Sequence, residues 1–154
     1  MAATEDAVHV LTISDPAVLF RSVDGGVHWD SVYTEHHPDA FYDSMAFWDD
    51  KDGIAMGDAI GGCLSIILTH DGGATWNKLP CDQLPEAKEG EAAFAASNGN
   101  ISVSDSAVWI VTGGKVSRVF SSTDRGQNWQ AKDVPVLQGG AMTGMFSLHM
   151  RDAN

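Results

Sequence analysis

Two carboxylates and one guanidinium lie at the ends of predicted strands, where side chains with charge could act together. Asp43 immediately precedes one predicted strand, Asp58 follows the next one, and Arg118 enters a third. All three are expected near the same rim of the fold. Such a group could hold a polar ligand or carry out acid–base catalysis. The alternative is that these side chains cap strands and pair with one another.

The segment before Asp43 is the loop richest in polar groups, with His36, His37, Asp39 and Tyr42 within a few residues. These four residues are further candidates for ligand contact; solvated loop side chains are the alternative. Adjacent side chains of an extended segment point in opposite directions, so one metal ion rarely takes both histidines. No Cys-x-x-Cys spacing occurs either. The sequence therefore predicts neither a metal site nor a cofactor.

The elements that would position these groups are marked by a motif, [ST]-x-D-x-G-x-x-W, that occurs three times. Its residues are Ser22, Asp24, Gly26 and Trp29, then Thr69, Asp71, Gly73 and Trp76, then Ser122, Asp124, Gly126 and Trp129. The aspartates are 47 and 53 residues apart (71 − 24 and 124 − 71). This period is typical of propeller blades.

Each position of the motif suits a tight turn between two strands. The aspartate can accept hydrogen bonds from main-chain N–H groups that follow it, and the glycine can adopt a positive φ. The hydroxyl residue can tie the incoming strand to the turn. The tryptophan can cover the hairpin and pack against a neighbouring unit. The motif is therefore interpreted as structural rather than as a ligand site.

The motif resembles the Asp-box, or bacterial neuraminidase repeat, of sialidases, sortilin-type receptors, xyloglucanases and photosystem II assembly-factor-like propellers. The resemblance covers nearly the whole chain and implies a β-propeller with the boxes on the face opposite the usual ligand face. The runs 41–58 and 118–126 look most similar to the assembly-factor-like and uncharacterised bacterial propellers. This implies a scaffold or assembly role rather than catalysis.

Strand patterns predict one all-β unit over residues 1–154, built of three four-stranded antiparallel blades. Blade 2 is expected at about 43–80 and blade 3 at about 91–132. Blade 1, at about 7–34, is short of its innermost strand, whereas residues 145–150 read as a strand without a blade. Three blades cannot close a ring. We therefore expect a homodimer in which the C-terminal strand of each copy completes blade 1 of the other, giving six blades; a fragment of a longer propeller is the alternative.

Composition limits the partners. The formal net charge of −12 disfavours nucleic acid and anionic membranes, which need a basic patch, and leaves cationic proteins as candidates. The N-terminus has no basic segment followed by an apolar one, so a cytoplasmic location is expected for the chain as written. Cys63 and Cys81 flank the second motif and could form a disulfide across its hairpin.

Two functions from different classes follow. The first is a non-catalytic propeller that binds a protein or a small polar ligand, including a carbohydrate, through the loops opposite the boxes. The second is a glycoside hydrolase or sialidase-like propeller, or a fragment of one, with Asp43 and Asp58 as its carboxylates. The chain contains only four arginines, and no Phe-Arg-Ile-Pro segment of the sialidase kind occurs. The sequence therefore favours binding over catalysis.

Overall fold

Three four-stranded antiparallel sheets follow one another along the chain. The structure, a computed structural model, describes residues 1–13, 16–94 and 98–150. One of the four arginines, Arg151, lies outside them. The fold is all-β, with sheets that have the form of propeller blades.

The strands of blade 1 are β1 (Ala2–Ala3), β2 (Val8–Leu11), β3 (Ala17–Ser22) and β4 (Asp30–Glu35). Blade 2 consists of β5 (Tyr42–Phe47), β6 (Gly53–Ile60), β7 (Cys63–Thr69) and β8 (Asn77–Lys78). A short strand β9 (Glu91–Ala92) precedes blade 3, which contains β10 (Ile101–Ser104), β11 (Ala107–Val111), β13 (Arg118–Ser122) and β14 (Gln130–Asp133). Strand β12 (Gly113–Gly114) pairs with β9 in a small separate sheet.

The core lies between the blades, because each blade buries side chains on the faces that meet its neighbours. Between blades 1 and 2, Leu19 packs in one apolar cluster with Met45, Ile67 and Trp76. A second cluster joins blades 2 and 3 and includes Ile54, Ile66, Val108, Ile110 and Phe120. Since blade 2 has neighbours on both sides, every residue of β7 is buried.

The three motifs form the hairpins that enter the last strand of each blade. In the third one, Asp124 accepts hydrogen bonds from the amides of Gln127 and Asn128, at 3.1 and 2.9 Å. The Ser122 hydroxyl donates to Asp124 at 2.7 Å and accepts from the amide of Gly126 at 2.9 Å. These are the hydrogen bonds that the turn chemistry calls for, and the first two hairpins repeat them.

The C-terminal segment differs from the expectation. Residues 145–150 form no strand; Met145 instead donates to the Thr112 carbonyl at 3.4 Å, and Phe146 stacks on Phe94 with ring centroids 4.0 Å apart. The first position of blade 1 is filled by β1, whose two alanines pair with β2. The prediction of a missing innermost strand was therefore wrong, because two alanines in a polar segment give no alternating pattern to recognise.

Cys63 and Cys81 form a disulfide, with Cα atoms 5.5 Å apart, that joins the start of β7 to the segment after β8. It crosses the hairpin of the second motif, at the end opposite the turn. Among the described residues, no helix is long and apolar enough to cross a membrane.

Candidate binding site

Asp43 and Asp58 lie at the end of blade 2 that faces away from its motif turn. The antiparallel register pairs Gly53 with Thr69 at the turn end of β6 and β7, and Ile60 with Cys63 at the other end. Asp58 is close to this second end, and Asp43 lies beside it on β5, which pairs with β6 through Tyr42 and Gly57. The two carboxylates are thus brought to one edge, as the sequence predicted.

Both carboxylates sit at irregularities in their strands. The pairing of β5 with β6 shifts register between Tyr42 and Ser44, and that of β6 with β7 shifts between Gly57 and Ala59. Asp43 and Asp58 are the residues left out of the pairing. A bulge turns a side chain away from its regular direction and is common beside functional sites.

Gly57 allows the two irregular strands to approach each other. A Cβ atom at this position would lie 2.3 Å from the carbonyl oxygen of Phe41 and 2.8 Å from the Cα of Tyr42. Backbone atoms cannot yield as a flexible side chain can, so no residue with a side chain fits here without moving the strand. Glycine at this position is therefore needed for the close approach.

A cleft of about 230 Å³ opens at this edge between blades 1 and 2. Its polar lining comes from Asp43, Ser44 and Asn98. The rest of its wall is formed by the largely apolar side chains of Met1, Leu11, Ile13, Tyr42 and Met45. A small number of polar groups in an otherwise apolar concave surface is typical of ligand sites.

Asp43 is the least satisfied polar group of the cleft. Its residue is only 8% exposed, and neither carboxylate oxygen has a hydrogen-bond partner among the described residues. Burial, and secondly the charge of Asp58, raises the pKa of Asp43 to about 8. A buried carboxylate without a partner is unfavourable when ionised, so at neutral pH this group is largely protonated.

Asp58 is better satisfied. One carboxylate oxygen accepts a hydrogen bond from the amide of Ala93 at 2.8 Å, and its own amide donates to the Phe41 carbonyl at 2.8 Å. Burial still raises the pKa of Asp58, although the Ala93 hydrogen bond acts in the opposite direction. Asp58 therefore links blade 2 to the chain entering blade 3 and adds negative charge near Asp43.

Asn98 fixes the opposite wall of the cleft. Its side-chain nitrogen donates to the Met1 carbonyl at 2.8 Å, and its side-chain oxygen accepts from the amide of Met45 at 3.3 Å. The hydroxyl of Ser44 is buried and has no hydrogen-bond partner within the described part of the chain. Two adjacent residues that line the cleft, Asp43 and Ser44, thus have side chains with no hydrogen-bond partner among the described residues.

Arg118 does not reach this cleft as a free cation. Its guanidinium forms a buried ion pair with Glu91, with Nε 3.0 Å from one carboxylate oxygen, and donates to the Glu86 carbonyl at 2.8 Å. Thr112 donates to the same carboxylate at 2.7 Å. The Arg118 side chain also lies over the ring of Phe120, 4.7 Å from its centroid. The Arg118 guanidinium is therefore occupied in holding Glu86 and Glu91, which precede blade 3, against that blade.

The loop before β5 is mostly on the surface. His36, His37 and Asp39 are exposed, and His37 Nδ1 lies 3.8 Å from the Asp39 carboxylate. Tyr42 is buried in the core between blades 1 and 2, where its hydroxyl donates to that of Tyr33 at 3.3 Å. Of these four predicted residues, only Tyr42 lines the cleft.

Sequence reasoning missed Asn98, Ser44 and Glu91. For Glu91 the one available signal was an acidic residue beside the apolar run 92–94. Ser44 and Asn98 carry no signal of their own, because each is defined by its neighbours in space. Among the described residues, no group of three or more His, Cys, Asp or Glu side chains could hold a metal ion.

No protein-family model matches the chain, and no curated protein matches it. Among solved structures, the chain is similar to that of YCF48 bound to D1 peptide, a β-propeller, with 21% identity and a TM-score of 0.50. The match covers 80% of this chain and 35% of that one, so the chain spans about a third of the length of that protein. At this level of identity the similarity shows the propeller fold.

Proposed function

We propose that this chain is part of a non-catalytic β-propeller that binds a segment of another protein at the cleft between blades 1 and 2. The observation that carries the proposal is that Asp43 lines a cleft with apolar walls and has a buried carboxylate that no described residue pairs with. The structural relative YCF48 is described in complex with D1 peptide, which supports a peptide as the ligand.

The position of the cleft is consistent with this function. It lies at the ends of strands away from the motif hairpins, whose polar groups are already used in the turns. The net charge of −12 favours a partner with basic residues, because opposite charges increase the rate of encounter.

A matched pair of variants tests the location of binding. Peptides would first be selected from a displayed random library against the wild-type chain and then measured against Ile13→Arg and Val23→Arg. Ile13 is 51% exposed and lines the cleft, whereas Val23 is 62% exposed and lies in the first motif turn. We expect Ile13→Arg to weaken binding at least about tenfold by filling the cleft, and Val23→Arg to leave it unchanged.

The opposite result, in which Val23→Arg weakens binding and Ile13→Arg does not, would place recognition on the motif face. The proposal would also be contradicted if no selected peptide bound at this cleft. Circular dichroism of both variants controls for loss of fold.

A glycoside hydrolase remains the second candidate, and one observation favours it. Asp43 is held protonated near neutral pH beside a second carboxylate, Asp58, as a general acid requires. The three arginines in the described part of the chain lie apart, since Arg21 donates to the Gly72 carbonyl and Arg125 pairs with Asp49. Hydrolysis of fluorogenic glycosides that disappears in both Asp43→Asn and Asp58→Asn would favour this candidate over binding.

A homodimer is also proposed, because no blade among the described residues packs on the outer face of blade 1. Phe20, Ile67 and Phe120 each lie two residues before the motif hydroxyl of their blade. Ile67 and Phe120 are buried against the preceding blade, whereas Phe20 lines a shallow apolar depression with Val10 and Trp29. A second copy packed on this face would give Phe20 the environment of its two equivalents. Exchange of residues 145–150 is not part of this proposal, since β1 fills the position that they were expected to take.

A further inference from the structure

We infer that the cleft between blades 1 and 2 recognises the positively charged end of an arginine or lysine side chain, with Asp43 as its counterion. This inference rests on the proposed function and specifies the chemistry of the segment that would be bound. Its starting point is that Asp43 lines the cleft, is more than nine-tenths buried, and has no hydrogen-bond partner for either carboxylate oxygen among the described residues.

The cleft suits a side chain that has an apolar stem and a cationic end. Leu11, Ile13 and Met45 provide apolar walls, and Asp43 and Ser44 provide acceptors beside them. Lysine and arginine commonly bury their methylene groups against apolar surface while the charged end reaches a polar partner. The volume of about 230 Å³ accommodates one such side chain.

A cationic ligand stabilises the ionised form of Asp43, which a neutral ligand does not. A neutral ligand would leave the carboxyl protonated, whereas an adjacent positive charge stabilises the carboxylate and forms a charge-assisted hydrogen bond. A metal ion is disfavoured because the described residues contain no group of three or more His, Cys, Asp or Glu side chains placed to bind one. An organic cation needs only one or two carboxylates.

Binding should therefore release a proton. At pH 7 the carboxyl of Asp43 is mostly protonated; on binding the cation it loses its proton to solvent and becomes the carboxylate that pairs with the ligand. The other ionisable groups on β5 and on the elements beside it are Tyr42 next to Asp43, Asp58 on β6, His9 on β2 and the amino group of Met1. Affinity should increase as the pH rises towards 8 and change little above it.

The inference is tested with three small probes: Nα-acetyl-arginine amide, Nα-acetyl-lysine amide and Nα-acetyl-citrulline amide. Citrulline has nearly the shape of arginine and no charge. NMR titration of the ¹⁵N-labelled chain at pH 8 would follow the amides of residues 43–45 and 98, and ¹³C spectra of the aspartate carboxyl groups would follow the ionisation of Asp43.

We expect the arginine and lysine amides to shift these signals and to lower the pKa of Asp43, and the citrulline amide to bind at least about tenfold more weakly. Asp43→Asn should weaken binding of the arginine amide by a similar factor, and Asp39→Asn, on the exposed loop, should not. Equal binding of citrulline and arginine amides, or no response at high millimolar concentration, would overturn the inference.

The two proposals can fail separately. If selected peptides bind at the cleft but tolerate both Asp43→Asn and replacement of their basic residues by citrulline, peptide binding stands and the cation site is wrong. If the arginine amide binds through Asp43 and no peptide binds more tightly than the amide alone, the cation site stands and the proposed recognition of a protein segment is wrong.

Discussion

Asp43 is kept in a position that reduces stability, which is common for residues that serve a function. Its folded-state pKa of about 8 lies above its ordinary value of 3.8. Between these two pKa values the folded chain therefore binds more protons than the unfolded chain. The free energy of unfolding consequently decreases as the pH rises from about 4 to about 8. Asparagine has the same shape and needs no proton.

Asp43→Asn is accordingly expected to raise the free energy of unfolding at pH 8 by a few kcal/mol and to leave it unchanged at pH 4. Urea unfolding at both pH values measures the effect, and Asp39→Asn provides an exposed control. Destabilisation by Asp43→Asn at pH 8 would mean that the carboxylate has a partner in the folded chain.

His9 has the opposite dependence on pH. Its ring is fully buried, stacks on Phe47 with centroids 4.7 Å apart, and has no hydrogen-bond partner among the described residues. Burial, and secondly the charge of Arg21, lowers the pKa of His9 from 6.5 to about 4. Between these two pKa values His9 is protonated in the unfolded chain and neutral in the folded chain. The free energy of unfolding therefore decreases as the pH falls from about 6.5 to about 4.

Isoleucine is the natural replacement for His9, because the equivalent residue of blade 2 is the buried Ile54. We expect His9→Ile to remove about 3 kcal/mol of the loss in stability between pH 6.5 and pH 4. Urea unfolding midpoints of the wild-type chain and His9→Ile across this range measure the effect. Asp43 is present in both chains, so its contribution cancels when the two stabilities are subtracted. Parallel curves for the two chains would show that His9 is not the titrating group.

At the scale of the secondary-structure elements, blade 2 differs from a regular sheet at the irregular ends of β5 and β6. Gly57→Ala should destabilise the chain by about 2–4 kcal/mol, since its Cβ would meet backbone atoms of residues 41 and 42. Gly61→Ala is a suitable control: its Cβ meets nothing within 4 Å, and only its positive φ of 70° opposes the change. Thermal unfolding of the two variants should therefore differ, and equal losses would contradict the requirement for close approach.

The hairpins and the bulges differ in how far sequence predicts them. The turn of Ser122, Asp124 and Gly126 uses hydrogen bonds between residues that are at most four positions apart, so its residue types identify it. The bulge at Asp43 depends on the pairing of β5 with β6, and the strand pattern contains no sign of it.

At the scale of the whole molecule, the exposed fraction of each motif tryptophan shows whether another blade among the described residues packs on it. Trp76 is 6% exposed and packs between blades 1 and 2, whereas Trp29, at the same position of blade 1, is 40% exposed. We expect Trp76→Ala to reduce stability by about 3–5 kcal/mol. Trp29→Ala should change stability little and weaken self-association.

Light scattering coupled to size exclusion measures the association. The proposed homodimer predicts a mass of twice 16.4 kDa for the wild-type chain and a shift towards the monomer for Trp29→Ala. A wild-type chain that stays monomeric at all concentrations would contradict the dimer but not the cleft, which lies between blades of one chain.

The sequence by itself determined the all-β propeller architecture and placed Asp43 and Asp58 at one edge. It could do so because turn chemistry and strand alternation act over a few residues and leave their pattern in the chain. The tertiary structure decided which charged groups are available: it pairs Arg118 with Glu91, exposes His36, His37 and Asp39, and buries Asp43 with no partner in the part of the chain that is described. Burial and pairing arise between residues that are distant in the chain, so only the packed blades determine them.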